Sequence, residues 1–126
     1  MMTEAASAWN FEVEQGPEWL TVRVSGPDNG DAAGTHVADT IWQLVLQHSV
    51  MQVVLDLSGL RILRSVVLGQ LVQLHKRIYT HGGLLRLAGL SDDNNNVLVA
   101  CRLHTRFARF ATVEEAVKGH HALQPQ

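Results

Sequence analysis

Val53-Val54-Leu55-Asp56-Leu57-Ser58-Gly59, continuing as Leu60-Arg61-Ile62-Leu63-Arg64-Ser65-Val66-Val67-Leu68-Gly69, decides how the rest of the chain is read. Gln52 to Leu57 is nearly all apolar, as expected of a strand covered on both faces in a parallel sheet. Ser58-Gly59 begins a loop of small residues, and Ser65 then opens an apolar helix. Val67, Leu68, Leu71, Val72, Leu74 and Ile78 recur at the spacing of one buried helical face. One hydroxyl, Ser65, therefore sits at the start of a helix, just past the carboxyl end of a buried strand. It can be a helix cap or a site of modification.

Working outward, Trp9 to Glu14 alternates apolar and polar residues, the pattern of a half-buried strand. Gly16-Pro17 supplies a turn, and Trp19 to Ser25 reads as a second strand with Leu20, Val22 and Val24 on one face. The two predict an antiparallel hairpin. Residues 26–34 are rich in turn formers. A helix is predicted from Thr35 to His48, with Val37, Ile41, Leu44, Val45 and His48 on one face. Downstream, Gly82-Gly83 ends the second helix, because glycine adopts the left-handed cap conformation cheaply. Leu84 to Ala88 is a third apolar strand. Ser91-Asp92-Asp93 reads as an N-cap and acidic first turn. Asn94-Asn95-Asn96 weakens that helix, in which Val97, Cys101 and His104 form a stripe. A short strand is predicted near Arg109 to Ala111. Thr112-Val113-Glu114-Glu115 is a capping box for a last helix, with Ala116 and Val117 inside.

Strands alternating with helices predict a single α/β domain. Its sheet is small and mostly parallel, with an N-terminal antiparallel hairpin, and about four helices flank it. The domain is expected over residues 9–118, between a flexible N-terminus, 1–8, and a flexible C-terminal tail, 119–126. The 126 residues suffice for one core. At 46% hydrophobic and 17% charged residues, with a net charge of -2, the chain has no global pull towards nucleic acid or anionic membranes. No apolar stretch reaches the ~18 residues of a membrane span. Met1-Met2-Thr3-Glu4-Ala5 lacks the basic and apolar segments of a signal peptide. The single cysteine, Cys101, allows no internal disulfide, and the expected location is the cytoplasm.

Candidate chemistry thins out on inspection. The seven histidines, His36, His48, His75, His81, His104, His120 and His121, lack the short ligand spacings of a zinc site. Cys101 lies beside apolar residues in a predicted helix and reads as a packed core thiol. Ser65 follows Arg64, without the glycine-serine elbow of a hydrolase. Neither a dinucleotide fingerprint nor a P-loop occurs. The basic residues from Arg102 to Arg109 read as a solvated face with Phe107 and Phe110 buried beneath it. Asp56 reads as a structural carboxylate bonded to the loop that follows. On the residues alone, the cap is the favoured reading of Ser65, worth about 1 kcal/mol.

Several of these segments resemble one family in order and spacing. They are Val54-Leu55-Asp56-Leu57-Ser58-Gly59, then Ser65-x-x-Leu68-Gly69, then Gly82-Gly83-x-Leu85-x-Leu87-x-Gly89-Leu90-Ser91. Arg106-Phe107 and Thr112-x-Glu114-Glu115-Ala116 extend the match. The chain resembles the STAS domain (sulfate transporter and anti-sigma factor antagonist) over about residues 10 to 118. The resemblance implies a bacterial adaptor in transcription regulation and signal transduction, without catalysis, cofactor, metal, nucleic acid or membrane insertion, and monomeric or weakly dimeric. Stand-alone members switch partners. The unmodified domain binds an anti-sigma factor, a serine kinase of the histidine-kinase-like ATPase type, and so frees a sigma factor. The kinase phosphorylates a serine that falls on Ser65, and a serine phosphatase reverses the step. The implied contact face is Asp28, Asn29, Gly30 and Asp31, with Ser58, Arg61, Arg64, Val66 and Gly69. This chain departs from the commonest pattern, aspartate-serine-serine-glycine, by reading Arg64-Ser65-Val66-Val67. The alternative expectation is a STAS scaffold subunit of a signalling or transport complex, using the same face without phosphorylation.

Overall fold

The computed structural model describes residues 9–27 and 34–119. Nine elements follow in the order β1 (Asn10–Gln15), β2 (Leu20–Ser25), α1 (Val37–His48), β3 (Gln52–Gly59), α2 (Ser65–Thr80), β4 (Leu84–Ala88), α3 (Asp92–Ala100), β5 (Ala108–Phe110) and α4 (Val113–Lys118). The strands form one sheet in the order β1-β2-β3-β4-β5. β1 runs antiparallel to β2, with Asn10 opposite Ser25 and Gln15 opposite Leu20, and the remaining pairs are parallel. The predicted hairpin and parallel sheet are thus both present. The expected tails, apart from Gly119 at the end of α4, lie outside the described residues.

Alternation along the strands divides the interior between the two faces of the sheet. Leu20, Val22 and Val24 of β2, Val53, Leu55 and Leu57 of β3, and Leu85 and Leu87 of β4 form the larger core. They pack with Val37, Ile41 and Val45 of α1, Leu71, Leu74 and Ile78 of α2, and Leu98 of α3. Each such side chain, fully withdrawn from water, contributes about 1.5–3 kcal/mol. The opposite face carries a smaller core of Trp19, Val54, Ala88, Phe110 and Ala116 under α4. Val53, Val54 and Leu55 are consecutive and all fully buried, so β3 is covered on both sides where its sequence is continuously apolar.

Arg86 of β4 ties α4 to the second face. Its guanidinium lies 4.6 Å from the centre of the Trp19 ring and 5.5 Å from that of Phe110, and donates to the Ala116 carbonyl at 2.6 Å. The aromatic faces and the helix carbonyl together compensate the half-buried cation. The edges of the sheet are β1, whose Glu12 and Glu14 are exposed, and the three-residue β5.

Two sequence readings are corrected here. Cys101 is exposed rather than packed, because α3 ends at Ala100 and Cys101 turns outward as its C-cap. Arg109 is buried rather than part of a solvated face: β5 pairs Arg109 with Leu87, so strand alternation directs it to the interior, where it donates to Asn95. Phe107 and Phe110 are buried as expected, and the side chain of Thr112 caps α4 by accepting from the Glu115 amide.

Candidate functional site

Parallel strands deliver their carboxyl ends to one rim of the sheet, and the connections to the following helices gather there. The β2–α1, β3–α2 and β4–α3 connections all leave from this rim. Contacts between them are close. A Cβ at Gly59 would lie 2.9 Å from Ser25 Cβ, and one at Gly89 would lie 2.8 Å from Asp56 Oδ1. Gly89 also holds a φ of +76°, so a side chain there would meet both steric and backbone strain.

Asp56 anchors the β3–α2 loop, as its position predicts. Its Oδ1 accepts from the Ser58 amide at 3.0 Å and from the Ser58 hydroxyl at 2.7 Å. The loop is then pinned by two apolar side chains, Leu60 and Leu63, which are 5% and 3% exposed. Between and after these pins, Arg61, Ile62, Arg64, Ser65, Val66 and Gly69 are all exposed. The loop thus buries Leu60 and Leu63 and turns the residues between and after them outward.

Ser65 is the first helical residue of α2. The N-cap is Arg64, whose extended backbone (φ -89°, ψ 160°) precedes the helix and whose side chain makes no capping bond. The cap reading of Ser65 is therefore overturned: the chain enters the helix one residue earlier than a serine cap requires. Among the described residues, no partner holds the Ser65 hydroxyl, and the first turn of α2 contains no acidic residue. The result is an exposed hydroxyl over helix amides that carry no carboxylate, a setting that accommodates an added anion.

The surroundings are apolar. Ile62 is 49% exposed and Val66 40% exposed, flanking Ser65. Gly69 lies one turn on from Ser65, on the same side of α2, and a Cβ there would touch nothing within 4 Å among the described residues. The structure brings together six of the expected contact and acceptor residues: Ser58, Arg61, Arg64, Ser65, Val66 and Gly69. Asp28, Asn29, Gly30 and Asp31 lie outside the described residues. The described residues that follow that segment pack on α2: a Cβ at Gly34 would lie 3.2 Å from buried Val67 Cγ2, and the Ala38 amide donates to Gln70 Oε1 at 2.8 Å.

Two residues at this rim escaped the sequence reading. Ile62 sits between Arg61 and Leu63, where nothing in the sequence distinguishes its outward side chain from the buried Leu60 and Leu63. Asn94 was read only as a weak helix former. It is 2% exposed, four residues before Leu98 on the buried side of α3, and it bonds the β3–α2 loop at two points. A polar residue in a core-facing register was the available signal.

The STAS domain family model matches residues 10–116. This chain belongs to the STAS domain family. Solved structures that resemble its fold include the following three. An anti-sigma factor antagonist from Mycobacterium paratuberculosis is 22% identical, with 91% of this chain and 96% of that chain covered and a TM-score of 0.74. An anti-sigma-factor antagonist (STAS) domain protein from Planctomyces limnophilus is 21% identical, covering 86% and 96%, at 0.72. The Bacillus cell fate determinant SpoIIAA in its phosphorylated form is 19% identical, covering 89% and 100%, at 0.63. Comparison with curated proteins gives no match. Among the described residues of this STAS domain, no helix is long and apolar enough to cross a membrane.

Proposed function

We propose that this STAS domain is a cytoplasmic, non-enzymatic partner-switching adaptor of the anti-sigma factor antagonist kind. Its partner is an anti-sigma factor that is also a serine kinase of the histidine-kinase-like ATPase type, and Ser65 is the phosphoacceptor. The observation that supports this reading best is the setting of Ser65. Its hydroxyl is exposed at the first residue of a helix with no side-chain cap, and exposed Ile62, Val66 and Gly69 surround it. Apolar surface flanking a hydroxyl suits a dry contact in the unmodified state. A phosphate adds about two negative charges. The helix dipole favours that anion by roughly 0.3–1 kcal/mol, so the fold tolerates it. A partner packed on Ile62 and Val66 must instead bury or expel the charge, which is costly.

A second reading has its own support. Arg64 stands immediately before Ser65, and Val66 and Val67 follow, so the acceptor has a cation and two branched side chains as neighbours. These favour a STAS scaffold that uses the same face without modification.

The two readings separate in one experiment. The protein and Ser65→Ala are incubated with ATP and a kinase of this type, beginning with one encoded beside the gene, and intact masses are measured. Phosphate on the wild type alone is the expected result. No phosphate on either, together with Ser65→Asp leaving partner affinity unchanged, refutes switching.

A further inference from the structure

Asn94 belongs to α3, yet both ends of its amide serve the loop before α2. Its Oδ1 accepts from the Leu63 amide at 2.9 Å, and its Nδ2 donates to the Leu60 carbonyl at 3.0 Å. These two groups face inward at either end of the segment that turns Arg61 and Ile62 out to solvent. Buried main-chain groups in a loop need partners, and here neither sheet nor helix supplies them. A side-chain amide satisfies one donor and one acceptor at once through two separate atoms, whereas a hydroxyl of similar size has only one oxygen for both. The Ser91 hydroxyl fixes the clamp in turn. It caps α3 by accepting from the Asn94 amide at 3.1 Å, which sets where α3 begins and therefore how far Asn94 reaches.

From this geometry we infer that Asn94 is a positioning residue for the contact face: it holds Leu60 to Leu63 in the single shape that presents Arg61, Ile62 and the start of α2 to a partner. The inference rests on the reading of that face as a partner site and extends it to a residue that touches no partner. An ordered loop loses less conformational freedom when it is bound, so the clamp acts on affinity by pre-organisation. Removing it leaves the exposed surface chemically unchanged while letting the loop open locally.

Arg61 and Arg64 make the loop its own reporter, because trypsin cuts after each of them. The full chain and Asn94→Val are digested under native conditions, with cleavage after Arg86 in the inner strand β4 as the internal control. Expected is a roughly ten- to hundredfold faster cut after Arg61 or Arg64 in the variant, as two lost hydrogen bonds would give, with the Arg86 rate changing far less. Equal acceleration at all sites, or none, overturns the positioning role. If Asn94→Val does not fold, amide exchange in the wild type decides: the Leu63 amide must be protected at least tenfold over that of Ile62, and equal exchange refutes the clamp. The partner arm uses the kinase that modifies the wild type. A higher KM with unchanged kcat for Asn94→Val supports pre-organisation, and unchanged KM overturns it. Failure of the wild type to bind or be modified counts against the partner reading alone, since the digestion and exchange arms need no partner.

Discussion

Replacing Gly69 with alanine sets stability against recognition at one atom. Gly69 is exposed in the interior of the 16-residue α2, and its missing Cβ would meet nothing within 4 Å among the described residues. Among the described residues, no contact requires a glycine here. A glycine in a helix interior costs roughly 0.5–1 kcal/mol relative to alanine, because it surrenders more backbone freedom on folding. Gly69→Ala should therefore stabilise the isolated domain by about that amount, which for a domain near this size raises Tm by roughly 2–6 °C. Thermal denaturation followed by circular dichroism measures it. Gly69 also shares a helix face with Ser65, so the same methyl projects into the proposed contact. Partner affinity should fall, most simply through faster dissociation, while Tm rises. A lower Tm would show that the open space around Gly69 is wrong, and unchanged affinity would remove Gly69 from the contact face.

Two further perturbations probe the rim and the core. Gly89→Ala must accept a left-handed backbone at φ +76° and place a Cβ 2.8 Å from Asp56 Oδ1, so it should lose at least ~2 kcal/mol in urea denaturation; a neutral result would contradict the packing of Gly89 on the β3–α2 loop. His75 is buried between Tyr79, stacked at 4.3 Å, and Phe107, edge-on at 5.2 Å; burial, and secondarily the Arg106 cation, holds its pKa below 6.5. The unfolded chain then binds a proton that the folded chain refuses, so His75 costs stability as pH falls below 6.5, by at most about 1.4 kcal/mol per pH unit. His75→Phe should flatten the dependence of the urea midpoint between about pH 7 and pH 5, and an unchanged slope would assign the acid sensitivity to other groups.

The fold was legible because its signals are local and periodic. Alternation in Phe11 and Val13 and in Leu20, Val22 and Val24 marked the hairpin, and unbroken apolarity at Val53 to Leu55 marked a strand with helices on both sides. The caps at Ser91 and Thr112 were read from single hydroxyls followed by acidic residues. What could not be read depends on where a helix begins or ends to within one residue. Ser65 looked like a cap, yet Arg64 occupies that place, and the shift releases the hydroxyl from structural duty. Cys101 looked internal until α3 stopped at Ala100. Arg109 shows a different failure: a guanidinium is expected outside, and only the pairing of β5 with β4 turns it inward. Asn94 was visible as a residue but not as a clamp, since its two partners lie more than thirty positions away.

Among the described residues the outer edge of β1 is unpaired, which bears on how this domain behaves in a crowded solution. An unpaired strand offers a row of main-chain donors and acceptors to any extended segment that meets it, including another copy of itself. Along Asn10 to Gln15, Glu12 and Glu14 stand exposed on one side of that row. Two copies approaching edge to edge would bring these carboxylates together at strand spacing, where like charges repel. The other edge is only three residues long and gives little length to pair with. The acidic margin thus works as a fence: it discourages indiscriminate sheet extension and fibre growth and leaves selective association to other surfaces, such as the proposed contact rim around Ser65.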